Sequence, residues 1–132
     1  MIDVITENEA KQLNPNVLAY LGDAVYTLYV REKNILSKGD KLFSLHKATC
    51  DTVKASAQAE AIQKIMPILT EDELSVYKRA RNTKKNTKAK NSSVAEYNMA
   101  TGLESLLGYL YITGQRERLI FLIELAINKK ED

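Results

Sequence analysis

Two acidic residues stand out because each lies in an apolar stretch that contains glycine. Asp23 follows Gly22 and is flanked by leucine, alanine and valine, while Glu104 lies between Gly102 and Gly108 among leucines. A carboxylate in apolar surroundings is costly unless it is paired, protonated or bound to a cation. Two carboxylates that meet repel each other, and an all-oxygen pair suits Mg²⁺ or Mn²⁺ better than zinc. Ordinary salt bridges to nearby bases are the alternative explanation.

Both acids fall in segments with helical periodicity. Apolar residues recur at helical spacing along the chain, and no convincing period-two strand pattern occurs, so we expect an all-α helical bundle. The first acid lies in a helix predicted from about Asn16 to about Asn34, followed by a turn at Lys38-Gly39. Glycine inside a helix costs about 1 kcal/mol relative to alanine. We therefore expect the helical glycines to let the two helices approach closely and bring the two carboxylates together.

The remaining elements are also predicted to be helices. The alanine-rich stretch from Lys41 to Met66 reads as one or two helices that end near Pro67. Two capping boxes, Thr70 with Glu73 and Ser93 with Glu96, mark later helix starts. The second box opens the helix of Glu104, which runs through Tyr111 and closes at Gly114. A final amphipathic helix buries four residues: Leu119, Leu122, Ile123 and Ala126.

The positive charge of the chain is concentrated in one segment between residues 78 and 90. This segment has seven bases and no acid, whereas the rest of the chain has 12 bases and 17 acids. Such a footprint suits contact with a polyphosphate, and a solvated surface loop is the alternative. We expect residues 84–92 to form an exposed, mobile connector. The seven bases are Lys78, Arg79, Arg81, Lys84, Lys85, Lys88 and Lys90.

Composition points to one folded domain over residues 1–132, because the chain is 45% hydrophobic and has only two prolines and five glycines. Cys50 is the only cysteine, so no internal disulfide can form, and we expect it to be a small buried residue. The amino terminus has no apolar run of signal-peptide length, and no stretch is apolar enough to span a membrane. We expect a cytoplasmic protein.

The stretches around both acids resemble ribonuclease III, and the stretches between them resemble its compact Mini-III branch. The match covers roughly residues 13–127. The resemblance implies an all-α endonuclease that forms a two-fold dimer and cuts double-stranded RNA with a divalent metal. The matching runs are residues 18–25, 45–47, 55–60, 78–82 and 101–108.

Two departures reduce the set of acids that the resemblance implies. The wider family has an acid where this chain has Ala19 and another where it has Thr101. Asp23 and Glu104 are therefore the expected catalytic residues and Mg²⁺ ligands, with Mn²⁺ as a substitute. We expect 5′-phosphate and 3′-hydroxyl products, staggered cuts, and no separate double-stranded-RNA-binding domain.

The expected partners also follow from the resemblance. They are precursor large-subunit (23S) ribosomal RNA in bacteria, a second copy of the chain, and ribosomal proteins of the large subunit. The basic segment should hold duplex RNA by its phosphates and shape, with Lys47 and Gln58 as weaker contacts. His46 is expected to pack or touch RNA and not to act as a base.

Dimerisation is expected through the first long helix, where Leu18, Leu21, Val25 and Leu28 form a stripe. Its Tyr20 and Tyr26, like Tyr109, are expected in the core or at the dimer interface. Two other functions remain open. One is a non-catalytic helical module that binds structured RNA, and the other is a helical adaptor for proteins whose basic segment is only surface.

Overall fold

The helices are seen in a computed structural model, which describes residues 4–83 and 93–128. Within these ranges it contains seven α-helices and a short 3₁₀ turn at Met66–Ile68, and it contains no strand, so the all-α prediction is confirmed. The helices are α1 Glu7–Lys11, α2 Pro15–Lys38, α3 Leu42–Val53, α4 Ala55–Ile65, α5 Glu71–Asn82, α6 Val94–Ile112 and α7 Arg116–Ile127.

Helix α6 forms the centre of the bundle. Leu103, Leu106 and Leu110 are completely buried, and residues on every side of the helix are enclosed. A helix that is apolar all round must be surrounded by other elements. Helices α2, α4 and α5 pack around it, and α7 packs against α4 and α6. Because Glu104 is on this central helix, its position is fixed by contacts from several neighbours.

Most helix boundaries lie close to their predicted positions. The backbone amide of Glu73 donates to the Thr70 hydroxyl at 3.1 Å, and Glu96 and Ser93 form the same bond, so both capping boxes are present. The alanine-rich stretch forms two helices that are separated at Lys54. The predicted core residues of α7 are all buried. Helix α2 extends to Lys38, about one turn further than predicted.

Helix α1 is a feature that the sequence patterns above did not predict. It begins at a third capping box, in which the amide of Glu9 donates to the Thr6 hydroxyl at 3.1 Å. The backbone amide of Ile5 donates to the carbonyl of Ile112 at 3.0 Å, which ties this region to the end of α6. The Tyr109 hydroxyl lies near the Glu7 carboxylate of α1 at 3.0 Å.

Two expectations about burial, for the apolar stripe of α2 and for Cys50, need correction. Leu18 and Val25 are buried in the chain's own core, while Leu28 is 61% exposed, so the predicted apolar stripe of α2 is divided between two faces. Tyr20 is 83% exposed, unlike the buried Tyr26 and Tyr109. Cys50 was expected to be buried, but it is exposed on α3.

The described helices were also compared with the requirements of a bilayer. In residues 4–83 and 93–128, no helix combines the length and apolar character needed to cross a membrane.

Candidate active site

Helices α2 and α6 cross closely, and two glycines at the crossing face the opposite backbone. A Cβ atom on Gly22 would lie 1.6 Å from the carbonyl oxygen of Glu104, and one on Gly108 would lie 2.1 Å from that of Leu18. No side chain fits at either distance, so these positions require glycine. Gly102 has a different role, because it faces the ring of Tyr77.

The close crossing brings the Asp23 and Glu104 carboxyl groups together. Asp23 is exposed and Glu104 is half-buried, and the two are near enough for Asp23 to raise the pKa of Glu104. Burial raises the pKa of Glu104 to about 8, with the negative charge of Asp23 as the second cause. Both effects disfavour a second carboxylate at this point. The Glu104 side chain therefore tends to hold a proton at neutral pH when no cation is present.

Gln58 is the third side chain of the site, and its expected role as an RNA contact needs correction. It is only 3% exposed. Its amide nitrogen donates to the Val53 carbonyl at 2.7 Å and to Oε2 of Glu104 at 3.3 Å. The bond to Glu104 lowers the pKa of that carboxyl and partly offsets the effects of burial and Asp23. Gln58 thus orients Glu104 from the inner side.

The oxygen atoms at this point fit a divalent cation. Magnesium in proteins is commonly held by one or two carboxylates, together with water and substrate phosphate oxygens. Asp23 and Glu104 supply two carboxylates, and Oε1 of Gln58 is buried without a hydrogen-bond partner in the described structure. No group of three or more His, Cys, Asp or Glu residues suited to a metal occurs in residues 4–83 and 93–128. The protein's own ligand set is therefore small.

This chain has no acid at the two positions where the resemblance implies one in the wider family. Ala19 and Thr101 are both buried. The Thr101 hydroxyl donates to the carbonyl of Tyr97 at 2.9 Å, within its own helix. Neither residue brings a charge to the Asp23–Glu104 pair. A single cation held by two carboxylates is consistent with this arrangement.

Only part of the basic segment lies in the described residues. Lys78 and Arg79 are exposed at the end of α5, and the Arg79 guanidinium donates to the Lys11 carbonyl. Arg81 is half-buried, with its guanidinium carbon 5.5 Å from the centre of the Tyr77 ring. The other predicted contacts, Lys84, Lys85, Lys88 and Lys90, lie outside the described residues, as does the predicted connector 84–92. Arg79 and Arg81 are thus partly committed to contacts within the protein.

The α3 candidates form no hydrogen bond with the carboxylate pair in residues 4–83 and 93–128. Lys47 and His46 are exposed, and Nε2 of His46 is 3.7 Å from the sulfur of Cys50. None of the hydrogen bonds of His46 in the described structure reaches Asp23 or Glu104. That His46 does not act as a base stays a prediction.

Comparison with known proteins identifies the architecture. Residues 16–115 match the family described as Ribonuclease III domain. A Mini-ribonuclease 3 from Clostridium tetani is 48% identical over 128 residues, which cover 96% of this chain and 85% of that protein. The chain belongs to the Mini-ribonuclease III branch of the ribonuclease III family. A Thermoanaerobacter Mini-ribonuclease 3 is 44% identical over 130 residues, 98% of this chain and 92% of that protein.

A solved structure supports the same assignment. The crystal structure of a Fusobacterium nucleatum protein superposes with a TM-score of 0.79 at 33% identity, and the match covers 88% of this chain and 93% of that one. The ribonuclease III fold predicted from the resemblance is therefore confirmed. In this Mini-ribonuclease III chain, sequence patterns did not reveal the contact between Gln58 and Glu104. Its only signal was a polar side chain within the run of alanines at 55–61.

Proposed function

We propose that this chain is a homodimeric endoribonuclease that hydrolyses double-stranded RNA with Mg²⁺ bound by Asp23 and Glu104, Mn²⁺ being a possible substitute. The single observation that carries the proposal is the carboxylate pair at the glycine crossing of α2 and α6. Two acids placed together without a neutralising base need a proton or a cation. Membership of the ribonuclease III family supports the nuclease activity.

The residues of the chain have distinct roles in this proposal. When bound at the pair, the cation supplies an acidified water and positive charge for the phosphate oxygens. Asp23 is exposed and faces the incoming backbone, while Glu104 is held from the inner side by Gln58. The backbone crossing at Gly22 fixes the spacing of the two acids. We expect cleavage that leaves a 5′-phosphate and a 3′-hydroxyl.

The proposed grip on the duplex is the basic segment between residues 78 and 90. Lys78 is exposed on α5, on a chain that is acidic elsewhere. A-form RNA is bound mainly through its phosphates, shape and 2′-hydroxyls. Contacts with phosphates and 2′-hydroxyls do not distinguish one duplex sequence from another, so other features of the RNA must determine which duplex is the natural substrate. We propose precursor large-subunit (23S) ribosomal RNA in the cytoplasm as that substrate, with large-subunit ribosomal proteins as further partners.

The proposed dimer face is the exposed apolar side of α2. Val17, Tyr20, Leu28 and Ile35 are all more than half exposed. At 100° per residue these four positions fall on one side of the helix. Contiguous exposed apolar surface of this kind is typical of a protein interface. A two-fold dimer formed there would present two carboxylate pairs to one duplex, one for each strand.

The test is cleavage of a labelled duplex RNA in Mg²⁺ and in chelator. We expect cleavage only with the metal. Asp23→Asn and Glu104→Gln should each lower the rate at saturating RNA by at least about 10³-fold, because each removes a ligand charge and keeps the side-chain size. Glu60→Gln is the matched control, since Glu60 is exposed on α4 and should keep full activity.

The same experiment separates the rival functions. Full activity in either site variant would contradict the assigned pair. Salt-sensitive duplex binding without cleavage in any divalent metal would instead favour a non-catalytic RNA-binding module. Absence of duplex binding would favour the protein adaptor.

A further inference from the structure

A concave groove lies between the carboxyl-terminal half of α2, helix α3 and the end of α7. Its volume is about 530 Å³. Val30 and Asn34 form part of the α2 wall, and Thr52 and Asp51 contribute from α3. The wall is internally braced, because the amide of the buried Asn34 donates to the Thr49 hydroxyl at 3.1 Å. This hydrogen bond joins the α2 side of the groove to α3.

The groove carries an excess of positive charge. Lys33, Lys38 and Lys47 line it, against one acid, Asp51, among its lining residues. Lys33 donates to the neutral Oδ1 of Asn128 at 3.3 Å, and none of the three lysines forms an ion pair within the described structure. Unneutralised ammonium groups around a concavity attract an anionic ligand.

An aromatic side chain stands beside these lysines. Phe43 lines the groove and is 82% exposed. A positively charged groove with an exposed aromatic ring is the arrangement by which proteins bind single-stranded nucleic acid, since the lysines contact phosphates and the ring stacks on a base. A double helix keeps its bases stacked and is too wide to enter a cavity of this size. The groove therefore suits one or two unpaired nucleotides.

The groove and the carboxylate pair are connected along α2 and through the end of α3. Val30 lies seven residues after Asp23, two helical turns or about 11 Å along the same side of α2. On the opposite wall, Thr52 lines the groove, and the next residue, Val53, accepts the hydrogen bond of Gln58 that continues to Glu104. A strand that leaves the site can cover this distance in a few nucleotides.

We infer that the groove of Lys33, Lys38, Lys47 and Phe43 binds a single-stranded RNA extension that continues from the duplex held at Asp23 and Glu104. This inference rests on the proposed function and narrows its substrate class. Duplexes with an unpaired flank should bind more tightly than blunt duplexes of the same paired sequence. The gain should come from the groove and not from the basic segment.

The test compares duplex binding by fluorescence anisotropy in chelator, which prevents cleavage. One RNA is blunt, and two others carry three unpaired nucleotides at the 3′ or the 5′ ends. We expect the wild type to bind one extended RNA about tenfold more tightly than the blunt one, because a base of the extension stacks on the Phe43 ring. Lys33→Ala with Lys38→Ala, or Phe43→Ala alone, should abolish this preference and leave blunt-duplex affinity within twofold.

Matched variants sharpen the test. Phe43→Tyr keeps an aromatic ring and should keep the preference, while Asp51→Asn removes the groove's acid and should increase it. Lys78→Ala removes one charge from α5, so it should weaken binding to blunt and extended RNA alike. The substituted groove residues are exposed, and thermal melting would verify that each variant is folded.

The possible failures are distinguishable. If the wild type cleaves blunt duplex in Mg²⁺ but shows no preference for either extension, the groove inference is overturned and the proposed function stands. A preference that survives in the lysine and phenylalanine variants also overturns it. If the wild type neither binds nor cleaves any duplex, the proposed function itself fails.

Discussion

Glu104 and Glu73 are two acids held inside the same helical bundle, and their surroundings shift their pKa values in opposite directions. Burial and the neighbouring Asp23 raise the pKa of Glu104 to about 8. Burial also acts to raise that of Glu73, but hydrogen bonds from Arg118 and from the Thr70 backbone outweigh it, so the pKa of Glu73 is lowered. One acid lacks a counter-charge and the other has a strong one.

Glu73 is an acid whose charge is neutralised by a base within the fold. The Arg118 guanidinium donates a hydrogen bond to each Glu73 carboxylate oxygen, both at 2.8 Å. It also donates to the backbone carbonyl of Ile68 at 2.8 Å. Such a two-pronged pair fixes α7 against the start of α5. Within the described part of the chain, the Glu104 carboxyl has only a 3.3 Å hydrogen bond from the neutral amide of Gln58. An acid that is buried and left without a base is more typical of a functional site.

The largest expected effect concerns the backbone that holds Glu104. Gly22→Ala should destabilise the protein by about 3 kcal/mol or more, because the new Cβ meets the Glu104 carbonyl and the two helices must separate. Cleavage activity should fall with it, since the two carboxylates move apart. Urea unfolding, together with the single-turnover cleavage rate at low temperature, would measure both effects.

Gly102→Ala is the matched control for this prediction. It makes the same substitution in a helix interior, but the atoms nearest to its new Cβ belong to the ring of Tyr77, and the nearest backbone oxygen, that of Tyr77, is 3.1 Å away instead of 1.6 Å. We expect a smaller loss of stability and a smaller effect on cleavage. Equal effects of the two substitutions would mean that the crossing at Gly22 has no special role in spacing the acids.

The second prediction tests the paired acid. Arg118→Met should lower the free energy of unfolding by about 2 kcal/mol or more, because Glu73 stays enclosed without its counter-charge. The cleavage rate at saturating RNA should remain within about twofold, since the hydrogen bonds of Arg118 in the described structure reach Glu73 and Ile68 and not the site acids. Chemical unfolding and cleavage assays at 20 °C would check these two outcomes.

A double variant gives the control. Adding Glu73→Gln to Arg118→Met removes the uncompensated charge and keeps a side chain able to complete the capping box. Most of the lost stability should return. If the double variant is no more stable than Arg118→Met alone, an unpaired Glu73 charge is not the cause of the loss.

The two acids also differ in how far sequence patterns reveal them. The capping box marked Glu73 as the third residue of a helix, but its pairing with Arg118, 45 positions away, depends on how α7 packs. For Glu104, the helical glycines pointed to close packing, and the family resemblance selected the residue. Local chemistry thus predicts helix starts and tight crossings, while contacts between distant helices require the fold.

Other features show the same limit. Residues at helical spacing on α2 were assigned to one interface, yet the bundle buries Leu18 and Val25 and exposes Tyr20 and Leu28. Periodicity identifies the helix but does not say which apolar side faces the chain's own core. Helix α1 was missed although Thr6 and Glu9 form a capping box, because a five-residue helix has too few positions to show a period.

The last prediction is that replacing Glu104 by glutamine stabilises the metal-free protein at alkaline pH. Glu104 has a folded pKa of about 8, above its ordinary value of 4.5, so between these pH values the folded state keeps a proton that the unfolded state has released. The stability of the metal-free protein therefore falls as pH rises from about 4.5 to 8, and above pH 8 the cost of the ionised group stays constant. Glu104→Gln cannot ionise and escapes this cost.

In chelator, Glu104→Gln should melt about 5 °C above the wild type at pH 8.5 and at nearly the same temperature at pH 4.5. The exposed control Glu60→Gln should show no such pH-dependent gain. Adding Mg²⁺ at pH 8.5 should raise the melting temperature of the wild type more than that of Glu104→Gln, since the cation binds the ionised pair. A variant that is less stable than the wild type at pH 8.5 would show that the Glu104 carboxylate is stabilised by a partner, as Glu73 is by Arg118.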